Sequence, residues 1–322
     1  MSLPELGRLG FGAAGIGNLY RAMSDDVAAA TMSAGWDAGI RYFDTAPHYG
    51  LGLSERRLGA FLITKPRAEF VISTKVGRIL DPAVNLSGAK DTQGFDVRAD
   101  SVRRWDPSEA GIRGSIEDSL QRTGLDRIDI AYLHDPDVYD LDAGIRQALP
   151  ALQKLRDEGL IKAIGVGSNS ADALRECVLN ADIDVIMLAG RYSLLEQPAA
   201  AQLLPLCLER EVQVANCGVY NSGLLARAVV PANAHYNYEP APAEILARAQ
   251  ALAACCDEFG VELPAAALQF AGAHPAVCTV VVGASNAEQI TQTAERMAAK
   301  IPVELWSALV ERGLLDERLA HV

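Results

Sequence analysis

The chain has 322 residues, half of them hydrophobic and 22% charged, with a formal net charge of -12. That length suits two ordinary domains or one large α/β barrel, and the apolar fraction excludes global disorder. The acidity argues against a phosphate-backbone partner, since nucleic-acid binders carry a basic patch, and no run of 18 apolar residues is present to cross a membrane.

The first patterned stretch, GFGAAGIG at 10–17, fits G-x-G-x-x-G with Gly10, Gly12 and Gly15. In a dinucleotide-binding βαβ unit the helix begins at once, and an acid closes the second strand about 20 residues later. Here helix signals begin only at Ser24, and the acid closing the next strand is Asp44, 29 residues beyond Gly15. The stretch therefore reads as a first strand (8–12) and a flexible loop whose bare backbone lets ligands approach closely.

Seven more strand-like runs follow, at 41–46, 70–76, 128–134, 161–167, 185–190, 212–218 and 278–285. Helical patterns alternate with them. Ser24 precedes a helix with acids in its first turn and Gly39 as a stop, and Pro107 opens another in which Ile112, Ile116 and Leu120 share a face. Further helices follow Asn169, Glu196, Pro242 and Asn286. Eight β-then-α units without a low-complexity linker predict a single (β/α)8 TIM barrel over 1–322, with a doubly wound sheet as the alternative. Two connections, near 78–106 and 219–241, exceed ordinary βα loops. Both follow a strand, so both are expected at the carboxyl face as lid-like loops, or else as surface insertions. Six dispersed cysteines without a C-x-x-C pair, and a start lacking a basic-then-apolar leader, read as reduced thiols in a cytoplasmic protein.

Three apolar runs end in residues that are costly to bury alone: Asp44, Lys75 and His134. Tyr49 follows Asp44 by five residues in a turn containing Pro47 and Gly50. Brought together at a barrel mouth, these four have a chemical logic. An ammonium beside a phenol lowers the phenol pKa toward the working range, a carboxylate keeps the lysine charged, and an imidazole orients the reacting oxygen. The set suits proton movement at a carbonyl or alcohol oxygen while hydride leaves carbon. No G-x-S-x-G elbow, no metal-ligand spacing and no second strand-end acid supports hydrolysis or metal chemistry. Tyr20, His48 and Trp105 lie in loops expected to line the mouth; for Trp105, loop packing is an equal alternative.

The segments DTAPHYGLGLSERRLG, VISTKVG and AYLHDPD, in this order and spacing, resemble the aldo-keto reductase superfamily over essentially the whole chain. The resemblance assigns the catalytic tetrad to Asp44, Tyr49, Lys75 and His134, with Tyr49 as general acid/base and nicotinamide as cofactor. It places cofactor contacts at Ser168, Asn169, Ser222, Gly223, Leu224, Gly283, Ser285 and Gln289. GVGSNS is one glycine longer than the usual G-V-S-N. Ala189 stands where a Gln is common, and ANCG lacks the nicotinamide-stacking aromatic, for which Tyr220 is the nearest candidate. Where NADPH-using members present Lys or Arg after the eighth strand, this chain has Gly283 and Gln289, with no cation until Arg296. A 2′-phosphate needs charge-assisted contacts, so NAD is expected over NADP. DTAPHYGLGLSERRLG and YNSGLL are similar to the subgroup of NAD-linked aldose 1-dehydrogenases (L-fucose, D-threo-aldose, L-galactose) and pyridoxal 4-dehydrogenases. The small-molecule substrate implied is a sugar hemiacetal, with pyridoxal or a general aldehyde or ketone as alternatives. A cofactor-binding accessory subunit with little turnover is the alternative of another class.

Overall fold

The computed structural model of the chain describes residues 3–84, 88–236 and 239–320. Its twelve strands are β1 (Leu9–Gly12), β2 (Tyr42–Asp44), β3 (Val71–Val76), β4 (Arg78–Pro82), β5 (Ser101–Trp105), β6 (Ile130–His134), β7 (Ala163–Ser168), β8 (Val185–Ala189), β9 (Gln213–Cys217), β10 (His235–Tyr236), β11 (Glu239–Pro240) and β12 (Val277–Val282). Eight of these close into a barrel in the order β1-β12-β9-β8-β7-β6-β3-β2, every neighbouring pair parallel. All eight strand-like runs of the sequence are barrel strands, and a doubly wound sheet is excluded by the closure.

The helices are α1 (Asp25–Asp37), α2 (Leu53–Leu62), α3 (Glu109–Thr123), the single turn α4 (Leu141–Ala143), α5 (Leu149–Asp157), α6 (Ala171–Asn180), α7 (Leu203–Glu209), α8 (Ala243–Glu258), α9 (Leu263–Ala271), α10 (Ala287–Ala298) and α11 (Val303–Glu311). Their starts follow capping chemistry. The Ser24, Ser108 and Ser170 hydroxyls accept from the amides of Val27 (3.3 Å), Gly111 (3.1 Å) and Ala173 (3.2 Å). Thus α3 begins after Ser108 and not at Pro107, whose ring offers no acceptor, and the chain after Glu196 reaches its helix only at Leu203. The helix α2 starts at Gly52 with no side-chain cap, which left it without a start signal in the sequence.

Strand side chains alternate between the barrel lumen and the helical shell. Tyr42, Ile130, Tyr132, Ala163, Val185, Met187, Ala215 and Val281 form a buried cluster inside the barrel, while Phe43, Ile72, Ala131, Leu133, Ile186 and Val280 pack outward in the larger cluster under the helices. The parity decides the site. Counting two residues on from Tyr42, Ser73 and Tyr132 gives Asp44, Lys75 and His134, so all three face the lumen at its carboxyl end. The register then stacks them as a staircase: Asp44 lies beside Ser73, and Lys75 beside Tyr132.

Glycines of the opening stretch are required by the protein's own packing. A Cβ on Gly10 would meet the Tyr42 ring at 2.7 Å, and one on Gly17 would meet the Tyr49 backbone at 2.9 Å. Gly50, at φ +62°, could carry no side chain, because a Cβ would lie 2.2 Å from the Gly17 carbonyl oxygen. This close approach seats the Tyr49 turn against the first loop.

Neither long connection is a plain loop. Arg78–Pro82 and Ser101–Trp105 pair as the antiparallel β4–β5 hairpin, and the connection between them reaches the mouth through a bridge between Leu19 and Phe95. The connection after β9 is pinned by Glu196, whose Oε1 accepts from Asn221 Nδ2 (3.1 Å) and Tyr236 Oη (2.8 Å). No helix among the described residues is long and apolar enough to cross a membrane.

Candidate active site

At the carboxyl mouth lies a cavity of about 560 Å³. Tyr49, Lys75 and His134 line it; Asp44 sits beneath, reached through Lys75. Lys75 Nζ donates to Asp44 Oδ2 at 2.6 Å and to the Thr45 carbonyl at 3.1 Å, and both side chains of the ion pair are 3% exposed. Ser73 Oγ donates to Asp44 Oδ1 at 2.8 Å, and a buried chain of hydroxyls continues below through Tyr42 Oη (2.9 Å from Ser73 Oγ) and Tyr132 Oη (3.2 Å from Tyr42 Oη). The carboxylate is therefore saturated on both oxygens, which is what allows it to be buried.

The Tyr49 turn folds the phenol over this pair, with Lys75 Nζ 4.6 Å from its ring centroid. The His134 ring stands edge-on to Tyr49 at 5.9 Å, and His48 edge-on to His134 at 5.5 Å. Phe95, 4% exposed, closes the group from the hairpin side against His48 (5.2 Å) and Tyr49 (6.0 Å).

Burial governs the protonation states. It pushes Tyr49 up to about 12, with Lys75 opposing it. The sequence argument that the ammonium brings the phenol down to the working range is thereby corrected: desolvation of the phenolate outweighs one neighbouring cation. Burial disfavours the Lys75 ammonium, yet Asp44 and Tyr49 more than offset this and hold it charged. Burial, aided by Arg78 and Lys75, keeps His134 well below its usual range; burial with Arg78 and Arg103 takes His48 down to about 3. Both imidazoles are neutral near pH 7. A protonated phenol beside an ammonium, facing a neutral imidazole, can pass a proton to or from an oxygen held between them.

Among the substrate candidates, Tyr20 and His48 line this cavity, Tyr20 on its rim at 66% exposure. Trp105 does not; it stacks on Tyr139 with centroids 4.9 Å apart and fills the space above Gly77, the packing alternative. Ser168 and Asn169 reach the cavity wall, as does Ala189. The Ser168 hydroxyl donates to Asp137 Oδ1 at 2.7 Å, at the end of β7.

A second cavity of about 750 Å³ lies between the chain after β9 and α10, lined by Ser222, Gly223, Leu224, Gly283 and Gln289. Tyr220 lines this one, not the cavity holding Tyr49. Ser285 stands at its α10 edge, its amide donating to Gln289 Oε1 at 2.8 Å. The residues present fit a dinucleotide. Asn221, Ser222 and Gly223 form a left-handed turn (φ 45°, 57° and 87°), Gly283 is bare, and the twelve-residue α10 starts alongside. Two cations also line this cavity: Arg296, held by Glu262 at 2.8 Å, and Arg227, which makes no ion pair among the described residues. Arg227 was invisible to an argument confined to the eighth strand, because it comes from a different connection.

The sequence pattern of the Aldo/keto reductase family matches residues 8–312. The chain belongs to this family. It is 53% identical to D-threo-aldose 1-dehydrogenase of a Pseudomonas species over 309 residues, covering 95% of this chain and 94% of that one. It is 39% identical to pyridoxal 4-dehydrogenase of Microbacterium luteolum, covering 96% and 94%. Among solved structures, the holo form of an aldo-keto reductase from Bacillus halodurans superposes with a TM-score of 0.75 at 27% identity, covering 98% and 97%. This aldo/keto reductase is thus an oxidoreductase on a (β/α)8 barrel.

Sequence reasoning missed the hydroxyl chain under Asp44, although the signal was present: Tyr42, Ser73 and Tyr132 each lie two residues before a tetrad member. It also missed Phe95, Arg78 and Asp135. Phe95 had no local signal, since only the tertiary bridge to Leu19 brings it to the mouth.

Proposed function

We propose that this aldo/keto reductase is an NAD-dependent dehydrogenase that oxidises the anomeric hydroxyl of an aldose hemiacetal, yielding the lactone. The observation that carries the reading is the buried Asp44–Lys75 pair set beneath Tyr49 in the mouth cavity, with neutral His134 across from it. The 53% identity to a D-threo-aldose 1-dehydrogenase supports the substrate class. NAD, when bound, accepts the hydride from the anomeric carbon. Tyr49, as the tyrosinate that Lys75 stabilises, takes the hydroxyl proton and becomes the neutral phenol; Asp44 holds Lys75 charged and in place. His134 donates a hydrogen bond to the reacting oxygen. Ser168 and Asn169 stand at the cavity wall for the nicotinamide amide, and the turn at Ser222–Leu224 with Gly283, Ser285 and Gln289 for the rest of the dinucleotide.

Gln289 at the start of α10 and the commitment of Arg296 to Glu262 support NAD, while Arg227, which lines the same cavity without an ion pair among the described residues, is the cation a 2′-phosphate would have to recruit. The test is NADH appearance with L-fucose, D-arabinose, L-galactose, pyridoxal and simple alcohols, with NADP alongside. Aldoses are expected to lead the panel. NAD is expected to exceed NADP in kcat/KM by about 10- to 100-fold, the worth of a missing charge-assisted contact. A preference for pyridoxal would move the substrate to the second class, and tight NAD binding without turnover on any member would indicate an accessory subunit.

The Tyr49 pKa sets a pH dependence. The base form is the tyrosinate, and with a pKa of about 12 its fraction grows through the whole accessible range. Aldose oxidation is therefore expected to accelerate by about tenfold per pH unit between pH 7 and 10. Neutral His134 gives no inflection near 6.5. A flat profile across this range would show that Tyr49 is not the base.

A further inference from the structure

The mouth cavity has a polar wall that the tetrad does not use. Asp135 follows His134 and adopts φ 42°, ψ 58°, in the left-handed region that Asp tolerates better than most non-glycine residues. In this conformation Asp135 lines the cavity, 27% exposed, and its Oδ2 accepts from Arg78 Nη2. The same oxygen lies 3.6 Å from His134 Nε2. Asp135 Oδ1 accepts no hydrogen bond among the described residues, and Arg78 Nε, although buried, has no partner. Arg78 is itself held in place by the β4–β5 register beside Trp105 and by the Tyr139 ring 5.3 Å from its guanidinium carbon.

Every cation at or behind the wall is matched by a carboxylate: Lys75 by Asp44, Arg78 by Asp135, and Arg103 by Asp91 at 2.5 and 3.2 Å. The histidines are neutral. The cavity therefore offers no net positive charge to an anionic substrate. What it offers is a strong acceptor and a strong donor side by side, the complement of adjacent hydroxyl groups, which donate and accept at once.

We propose that Asp135 and Arg78 form a donor–acceptor pair that reads the ring hydroxyls next to the anomeric carbon of a neutral aldose, and so set substrate specificity. The inference rests on the sugar-oxidising reading above and assigns its recognition to residues outside the tetrad. Pyridoxal or a simple aldehyde, lacking a vicinal pair of ring hydroxyls, leaves this pair unused.

The experiment compares wild type with Asp135→Asn and Arg78→Lys, using NAD with an aldose and with its 2-deoxy and 3-deoxy counterparts, and NADH with butanal. Asn tolerates the left-handed conformation, and Lys keeps the charge while losing the guanidinium fork. Each variant is expected to lower the ratio of kcat/KM for aldose over butanal by about 10- to 100-fold, chiefly through KM. A deoxy sugar that is penalised on wild type is expected to lose its penalty on Asp135→Asn. A 1,5-anhydroalditol, which cannot be oxidised at the anomeric carbon, is expected to bind the NAD-saturated variants correspondingly more weakly, which separates recognition from turnover. Equal losses on aldose and butanal, or a deoxy penalty that survives in Asp135→Asn, would overturn the proposal. Wild-type protein that reduces butanal but oxidises no aldose would overturn the sugar reading itself, and this inference with it.

Discussion

Replacing Tyr49 by Phe is expected to lower kcat by about 10²- to 10⁴-fold, the usual worth of a positioned acid or base, while NAD binding stays within about twofold. Of the other titratable groups in the mouth cavity, Asp135 is paired with Arg78. Lys75 is held charged by Asp44 and has no lone pair to accept a proton. His134 and His48 are neutral, but burial beside Arg78 and other cations makes both poor bases. Cys217 also lines the cavity, and burial pushes its thiol up to about 12, with no hydrogen-bonded partner to take up its proton among the described residues. The phenol alone combines a reactive oxygen with an adjacent ammonium that stabilises its anion. Phe keeps the ring, hence the contacts with Phe95 and His134, so the fold and cofactor binding should survive. Initial rates of NADH formation and a separate NAD titration measure the two quantities. A variant turning over within about tenfold of wild type would remove Tyr49 from the proton path.

Truncating Asp44 to Ala is expected to destabilise the protein by about 3–5 kcal/mol, the cost of leaving a buried charge without its partner. Lys75 is 3% exposed, and without Asp44 only neutral oxygens, the Thr45 carbonyl at 3.1 Å and the Tyr49 phenol, remain beside its ammonium among the described residues. The change would also remove the Asp44 Oδ1 acceptor of Ser73 Oγ, leaving it Tyr42 Oη as a partner. The double variant Asp44→Ala, Lys75→Met removes both charges and is expected to regain much of that loss, because an apolar pair of similar volume commonly matches a buried ion pair in stability. It should remain inactive. Urea denaturation midpoints at constant slope measure the difference. If Asp44→Ala costs less than about 1 kcal/mol, water reaches Lys75 and the site is not dry. Together the two experiments separate a pair kept for stability from one kept to serve Tyr49, since a charge pair that could be replaced without loss of stability is retained for its chemistry.

The barrel was largely legible in the sequence because each strand is a short apolar run closed by a turn, and because eight such runs alternate with helical periods. The tetrad positions were legible for a related reason. A residue such as Lys75 at the end of VIST is too costly to bury without purpose, so it stands out against its own strand. The helix starts were partly legible: serine caps gave the regions of α1, α3 and α6, while α2, which lacks a side-chain cap, gave none.

By itself the sequence determined the eight strands, the reaction class and which four side chains stand out, since these follow from local periodicity and from the desolvation cost of single residues. Only the tertiary structure decided which residues share the lumen. That depends on strand register, which brings Ser73 under Asp44 and Tyr132 beside Lys75. It alone decided that burial leaves Tyr49 near 12, because desolvation is a property of all the neighbours and not of one nearby lysine. It also turned two apparent loops into working parts. The hairpin after β3 delivers Phe95 and Arg78 to the mouth, while Trp105, from the same hairpin, packs behind it. The connection after β9 brings Arg227 to the second cavity, far in sequence from the strand-eight residues it faces there. Contacts of this kind are set by where the closed barrel brings distant segments together, and no local pattern encodes them.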